Sequence, residues 1–84
     1  MRTVWKYKLG EVTDLSLPAD AVVLRVGAQG GHMHAWVDLD PNANQTPRRF
    51  VITGTGHEVQ PSAKYVGGCS EGPFEWHVWE VSRG

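Results

Sequence analysis

The residues best suited to chemistry in this 84-residue sequence lie in one short stretch, residues 48–57. It begins with a basic pair, continues through β-branched apolar residues and ends in the sequence Gly-Thr-Gly-His at residues 54–57. Successive backbone N–H groups in a glycine-rich turn can surround an anion, and the Thr hydroxyl and His imidazole add polar groups. The stretch therefore predicts a phosphate- or anion-binding turn. The alternative is a tight turn that requires glycine only for its backbone conformation.

The basic pair and one tryptophan are candidate partners for this turn. Arg48 and Arg49 are neighbours on a predicted strand, so their side chains point to opposite faces and at most one joins a given site. The sequence holds four tryptophans, more than a core of this size needs, and Trp36 falls on the polar face of its predicted strand. An exposed indole can stack on a base or a sugar. Trp36 is therefore a candidate stacking surface. The alternative is that Trp5, Trp76 and Trp79 fill the core and only Trp36 is partly exposed.

A metal site is a weaker hypothesis. His32 and His34 stand two positions apart on a predicted strand, which puts both imidazoles on one face. His57 or Asp38 could complete a ligand set, but no third ligand is fixed by spacing. We therefore predict no metal and no cofactor.

Composition excludes several functional classes. A net charge of -1 gives no electrostatic footprint for duplex nucleic acid or an anionic membrane. The single cysteine, Cys69, excludes an internal disulfide framework and favours a reducing cytosol, and we expect it to pack as a small residue rather than act as a nucleophile. No apolar run is long enough to span a bilayer, and residues 1–10 lack the apolar segment of a signal peptide. The predicted location is the cytoplasm.

Short strands are expected to position these residues. Ten glycines and five prolines divide the chain into pieces that suit strands and turns. We predict one domain over residues 1–84, all-β and mainly antiparallel: a compact sheet, sandwich or barrel-like domain of about six short strands. At most one helical turn is expected near residues 61–65, residues 20–27 are predicted to be the most buried strand, and residues 40–47 a mobile polar loop.

The last predicted strand, residues 74–81, is apolar on both faces. One small sandwich core covers only one side of a strand, so the second face needs another cover. The sequence therefore predicts a homo-oligomer with an interface that contains Trp76, Trp79 and Val81. The alternative is that a loop of the same chain covers this face.

Several short motifs occur in the same order in a known group of proteins. They are Thr-Val-Trp-Lys-Tyr at residues 3–7, Trp-Val-Asp at 36–38, Arg-Phe at 49–50 leading into Gly-Thr-Gly-His, and Trp-His-Val-Trp-Glu at 76–80. This set resembles uncharacterised proteins of under about 100 residues that tailed phages and prophages encode. The resemblance implies an accessory protein that inhibits a host enzyme or defence system, by binding a host protein or by sequestering a nucleotide signal.

The leading hypothesis is a non-enzymatic phage accessory protein of anti-defence type that binds a small anionic, nucleotide-derived ligand as a homo-oligomer. The predicted ligand-binding residues are Trp36, Arg48, Arg49, Gly54, Thr55, Gly56 and His57. The alternative is a protein–protein inhibitor that presents the face with His32, His34 and Trp36 to a host enzyme or defence protein. A His-ligated metal enzyme is a third and weaker hypothesis.

Overall fold

A computed structural model describes residues 1–82 of the chain, and these residues form seven strands and no helix. The strands are β1 (Thr3–Leu9), β2 (Val12–Pro18), β3 (Val22–Gln29), β4 (His32–Leu39), β5 (Gln45–Gly54), β6 (Lys64–Glu71) and β7 (Phe74–Val81). Every pairing between them is antiparallel. The all-β prediction is confirmed, with one strand more than the six expected.

The strands form two sheets that pack face to face. Sheet A has the order β1-β4-β3, and sheet B has the order β2-β5-β7-β6. The sheets approach each other most closely where β3 lies beside β6. There, a Cβ atom added to Gly67 would lie 3.1 Å from Cγ2 of Val26, so glycine permits this approach. Of the architectures that the sequence left open, the two-sheet sandwich is the one that forms.

The core lies between the inner faces of the two sheets. β4 alternates as its sequence predicts, with its odd-numbered residues buried and its even-numbered residues on the outer face. The core cluster contains Leu9, Val26, Met33, Ala35, Val37 and Leu39 from sheet A, and Leu17, Phe50 and Val78 from sheet B. Because these side chains come from both sheets, the core fixes how the sheets pack.

The prediction that residues 20–27 form the most buried strand is wrong. β3 is an edge strand of sheet A, and Val22 and Leu24 are 56% and 54% exposed. The central strand of that sheet is β4, which carries four buried residues. The burial of β3 and β4 thus depends on their positions in the sheet rather than on their content of apolar residues. The sequence of one strand does not reveal the order of strands in the sheet.

Residues 60–71 form a turn followed by a strand. β6 extends over eight residues and runs through Gly67 and Gly68. Near residues 61–65 the chain makes a turn and no helix, closed by a hydrogen bond of 3.0 Å from the Ala63 N–H to the Gln60 carbonyl oxygen. β6 is positioned by its pairing with β7, which a single strand's sequence does not reveal.

The polar loop is shorter than the predicted range of residues 40–47, because β5 begins at Gln45. The N–H groups of Asn42 and Ala43 donate to a side-chain oxygen and the carbonyl oxygen of Asp40, at 2.9 and 3.1 Å. Such bonds to Asp are typical of a tight turn. Residues 45–47, which were predicted to belong to the loop, are thus the start of the ten-residue strand β5.

Candidate ligand-binding site

The turn at residues 54–57 is a compact type II β-turn at the end of β5. The His57 N–H donates to the Gly54 carbonyl oxygen at 3.2 Å, and Gly56 has a φ of 90°. A type II turn needs a positive φ at its third residue, which explains glycine at position 56. The Gly54 N–H also donates to Nδ1 of His57 at 3.1 Å. The N–H groups of Gly54 and His57 are thus used within the turn, and the exposed tip consists of Thr55 and Gly56.

A chain of three polar side chains connects this turn to the outer face of sheet B. The Thr55 hydroxyl lies 2.9 Å from Nε2 of His77, and the Tyr65 hydroxyl lies 3.2 Å from Nδ1 of the same ring. A neutral imidazole has one donor and one acceptor nitrogen, and each hydroxyl can donate or accept. In either tautomer of His77, both ring nitrogens can therefore hydrogen-bond to the hydroxyls of Thr55 and Tyr65. The three side chains can thus offer a donor or an acceptor to a ligand.

Strand alternation and a β-bulge bring these three side chains together. His77 and Trp79 alternate with inward-facing residues of β7 and so share its outer face. A β-bulge after Tyr65 in β6 brings that residue opposite Trp79, while Gly68 lies opposite His77. A Cβ atom at Gly68 would lie 2.6 Å from the Tyr65 hydroxyl oxygen and 2.8 Å from the Trp76 carbonyl oxygen. Glycine at position 68 therefore makes room for the phenol beside the imidazole.

Two aromatic rings and the turn border an open cavity of about 380 Å³ on this face. Tyr65 and Trp79 meet edge to face, with ring centroids 5.0 Å apart, and the indole N–H of Trp79 donates to the Thr53 hydroxyl at 3.0 Å. The cavity also includes Thr55, His57 and His77 in its lining. We call it the turn pocket. It combines a fixed aromatic wall with polar groups that can donate and accept.

Sequence reasoning missed Tyr65 and His77. Alternation along residues 74–81 already put His77 and Trp79 on one face, which was a usable signal. The contribution of Tyr65 depends on the bulge and on strand pairing between β6 and β7, which no local pattern shows.

A second cavity, of about 400 Å³, opens between the two sheets at the same end of the sandwich. It shares Gly54 and His57 with the turn pocket, so this histidine lies between the two. Its wall includes apolar side chains such as Met33, and its charged residues are Glu11 and Glu71. Two carboxylates disfavour an anion here, because like charges repel at short range. Of the two cavities, the turn pocket suits an anionic ligand better.

Arg48, predicted as a countercharge for the ligand, instead lies inside the sandwich. Its guanidinium donates to both carboxylate oxygens of Glu80, at 2.7 and 2.8 Å. It also donates to the carbonyl oxygens of Pro18 and Ala21, at 3.1 and 2.8 Å. The hydrogen bonds from Arg48 hold the pKa of Glu80 below its ordinary value. Arg48 therefore has a structural role, because it links β5 to β7 and to the segment that follows β2.

Arg49, the other predicted countercharge, pairs with Asp14 across the strand pair β2–β5. The two N–H···O distances are 2.9 and 3.1 Å. A strand rises about 3.3 Å per residue, so the six positions from Arg49 to Thr55 correspond to roughly 20 Å along β5. Neither arginine therefore lies beside the turn, and both already have a carboxylate partner.

Trp36 lies on the outer face of sheet A, as alternation predicted, but not beside the turn. The Arg25 guanidinium stacks over its ring, 4.2 Å from the ring centroid. The centroid of the His34 ring lies 6.1 Å from that of Trp36. The turn belongs to sheet B and contacts Trp79 instead. The structure thus divides the predicted set, Trp36, Arg48, Arg49, Gly54, Thr55, Gly56 and His57, among four places and keeps only the last four residues together.

The predicted interface residues have different environments. Trp76 packs against the core on the inner face of β7. Val81 shares the outer face with His77 and Trp79 by alternation, yet it is only 8% exposed. Trp79 is half-buried on the outer face, where Tyr65 covers part of it. The protomer therefore covers more of β7 than the sequence suggested. Self-association stays a prediction, and Trp79 is the interface residue that the outer face offers to it.

The remaining reactive residues are Cys69 and the pair His32 and His34. Burial raises the pKa of the Cys69 thiol, and its sulfur lies 3.4 Å from the sulfur of Met33. A nucleophilic thiolate needs a lowered pKa, so this cysteine has the environment of a packing residue. Nδ1 of His34 lies 3.0 Å from the His32 carbonyl oxygen. Residues 1–82 contain no cluster of three or more His, Cys, Asp or Glu side chains that could hold a metal ion.

Comparison with known proteins gives a family for the chain. A family model described as a domain of unknown function (DUF7352) matches residues 1–84, so the chain belongs to that family. No curated protein and no solved structure matches the chain. None of the described residues forms a helix long and apolar enough to cross a membrane.

Proposed function

We propose that this member of the DUF7352 family is a non-enzymatic protein that binds a small, nucleotide-derived ligand in the turn pocket. The observation that carries the proposal is the chain of Thr55, His77 and Tyr65, which ends beside the edge-to-face pair of Tyr65 and Trp79. Ligand sites typically combine apolar or aromatic walls with a few polar groups that fix orientation. The turn pocket has both in one concave place.

The lining of the pocket restricts the charge of the ligand. It contains neither lysine nor arginine among the described residues, so a phosphate would be held by neutral donors and by imidazole. The exposed tip offers the N–H groups of Thr55 and Gly56 and the Thr55 hydroxyl, while the aromatic wall offers a surface for a base. This favours one phosphate, or a cyclic phosphodiester, over a highly charged triphosphate.

The pocket is open on the outer face of sheet B, where a second copy of the chain would close it. Ligand sites often lie between subunits, and two-fold homodimers are the commonest oligomers. In this proposal the protein works as a homo-oligomer in the host cytoplasm. The resemblance to short phage-encoded proteins supports sequestration of a host nucleotide signal, an anti-defence role, as its purpose.

A thermal-shift panel tests the proposal. Linear and cyclic nucleotides are compared with inorganic phosphate, because a ligand that binds only the folded state raises the melting temperature. At about 100 times Kd, the stabilisation is about 2.7 kcal/mol, which is several degrees for a domain of this size. We expect at least one nucleotide, and not phosphate alone, to give this shift. A melting curve that no nucleotide moves contradicts the proposal.

A matched pair of variants locates the site in the same assay. Thr55→Val removes the hydroxyl that meets His77, and Thr46→Val makes the same change at an exposed position near the start of β5. The nucleotide shift should disappear in Thr55→Val and persist in Thr46→Val. An equal shift in both variants would place the ligand elsewhere.

A further inference from the structure

The outer face of sheet A carries several positively charged side chains. Lys6 and Arg25 lie on either side of Trp36 in register, one from β1 and one from β3. Lys8 lies opposite His34 in the same way. This cationic face, defined as Lys6, Lys8, Arg25, His34 and Trp36, occupies all three strands of the sheet.

Its charges are not neutralised within the protomer. Arg2, Arg48 and Arg49 each pair with a carboxylate. Among residues 1–82, no carboxylate forms an ion pair with Lys6, Lys8 or Arg25, and the one acidic residue on this side of β4, Asp38, already pairs with Arg2. The chain as a whole carries a net charge of -1, so the cationic face is a local excess that attracts an acidic partner.

Several contacts hold these side chains in place. The Arg25 guanidinium lies 4.2 Å from the centroid of the Trp36 ring. Gly27 is buried beneath them, and a Cβ atom there would lie 2.9 Å from Nη2 of Arg25 and 3.6 Å from Cζ3 of Trp36. The Lys6 ammonium donates to the side-chain oxygen of Gln29 at 3.0 Å, across β4. A partner would therefore meet charges that are already positioned.

The cationic face continues to an open strand edge. β1 pairs with β4 on one side only, because it is the edge strand of sheet A. The edge also exposes apolar side chains, with Val4 49% and Trp5 44% exposed. The unpaired N–H and C=O groups of an edge strand can take up an additional extended chain. Lysines on edge strands also protect against aggregation, which is the competing explanation for Lys6 and Lys8.

We infer that an acidic polypeptide segment adds to β1 as an extra strand. Side chains alternate between faces along a strand, so every second residue of the segment would lie over the cationic face and meet Lys6 and Lys8. The residues between them would pack against Trp5 on the opposite face. A nucleic acid could use the charges but not the backbone edge, so a polypeptide fits both observations. This partner and this surface are separate from the turn pocket and its ligand.

The inference predicts binding of an alternating acidic peptide. The probe is a peptide of about ten residues, the upper length of a typical strand, that alternates Glu and Val. Its controls are a peptide of the same composition with all glutamates in one block, and a thymidine oligonucleotide. NMR titration of the full chain should show the alternating peptide binding at least about tenfold more tightly than the block peptide, with slowed amide exchange along β1. Equal binding of both peptides, binding of the oligonucleotide alone, or no binding at all would overturn the inference.

Variants test whether Lys6 and Lys8 bind the acidic peptide or whether any lysine on the surface has the same effect. Replacing both lysines, Lys6→Gln with Lys8→Gln, should weaken peptide binding at least about tenfold. Lys64→Gln removes an exposed lysine from the edge strand of sheet B and should change binding by less than about twofold. The exposed positions of Lys6 and Lys8 predict an unchanged melting temperature for the double variant. Equal effects of the double variant and Lys64→Gln would show that the lysines serve only to protect the edge.

Discussion

The hydroxyl of Thr55 lies 2.9 Å from Nε2 of His77, although 22 positions separate the two residues in the chain. This contact joins the tip of the β5 turn to the middle of β7. It makes the turn part of the outer face of sheet B rather than a free loop, so the N–H groups of the tip have a fixed direction. The proposed ligand site depends on this relationship.

Removing the Tyr65 hydroxyl should weaken ligand binding with little effect on folding. Tyr65→Phe keeps the edge-to-face contact with Trp79 and deletes only the oxygen that meets Nδ1 of His77. Because Tyr65 is 56% exposed, we expect the free energy of unfolding to fall by less than about 1 kcal/mol. The nucleotide-induced shift of the melting temperature should decrease clearly. Tyr7→Phe, which removes a hydroxyl on the other sheet, is the control, and an equal loss of ligand shift there would contradict the assignment.

Adding one methyl group at position 68 should destabilise the protein. In Gly68→Ala the new Cβ would meet the Tyr65 hydroxyl oxygen at 2.6 Å and the Trp76 carbonyl oxygen at 2.8 Å. Since one of these atoms belongs to the backbone, the strands must move, at a cost of about 1–3 kcal/mol in the free energy of unfolding. In Gly10→Ala the nearest atom is the Thr13 hydroxyl oxygen at 3.7 Å, an ordinary contact. Urea denaturation that shows equal losses for both variants would contradict this account of Gly68.

These outcomes show which parts of the site the sequence could reveal. The turn at residues 54–57 was found because a positive φ demands glycine locally, and the outward position of Trp36 followed from alternation. The roles of Arg48 and Arg49 were missed because their carboxylate partners, Glu80 and Asp14, are 32 and 35 positions away in the chain. Such pairs depend on strand order and register. The same cause explains why β3 was predicted to be buried and is an edge.

The ion pair of Arg48 and Glu80 should make the fold sensitive to acid. The pKa of Glu80 is lowered by hydrogen bonds from Arg48, so the pair stabilises the fold fully at pH values above the ordinary glutamate value of 4.5. This stabilisation is lost as the pH falls below 4.5 towards the lowered pKa of the folded state. Equilibrium unfolding measured over this range should show the free energy of unfolding fall in the wild type and fall less in Glu80→Gln.

At neutral pH the same substitution should cost stability. Glu80→Gln leaves a half-buried guanidinium with a neutral partner, which should lower the free energy of unfolding by about 1–3 kcal/mol. Asp14→Asn alters the more exposed ion pair with Arg49 and should cost less than about 1 kcal/mol. Equal costs for the two variants, or an identical pH dependence in wild type and Glu80→Gln, would show that the Arg48 pair has no special role.

Self-association through the outer face of β7 remains a prediction with a simple measurement. Light scattering at micromolar concentration should give a mass of at least about twice the 9.3 kDa of one chain. Trp79→Ala should lower this mass, because it removes the half-buried ring on that face. Trp5→Ala, a change at an exposed position of sheet A, should not. A 9.3 kDa species in the wild type would contradict the prediction.

The most direct test of the ligand site is an NMR titration of the histidine ring signals with the nucleotide that raises the melting temperature most. We expect the His77 and His57 ring signals to shift on binding and those of His32 and His34 to stay unchanged. Thr55→Val should abolish the shifts. Ring signals of His77 and His57 that stay unchanged at saturating nucleotide would show that the turn pocket is not the binding site.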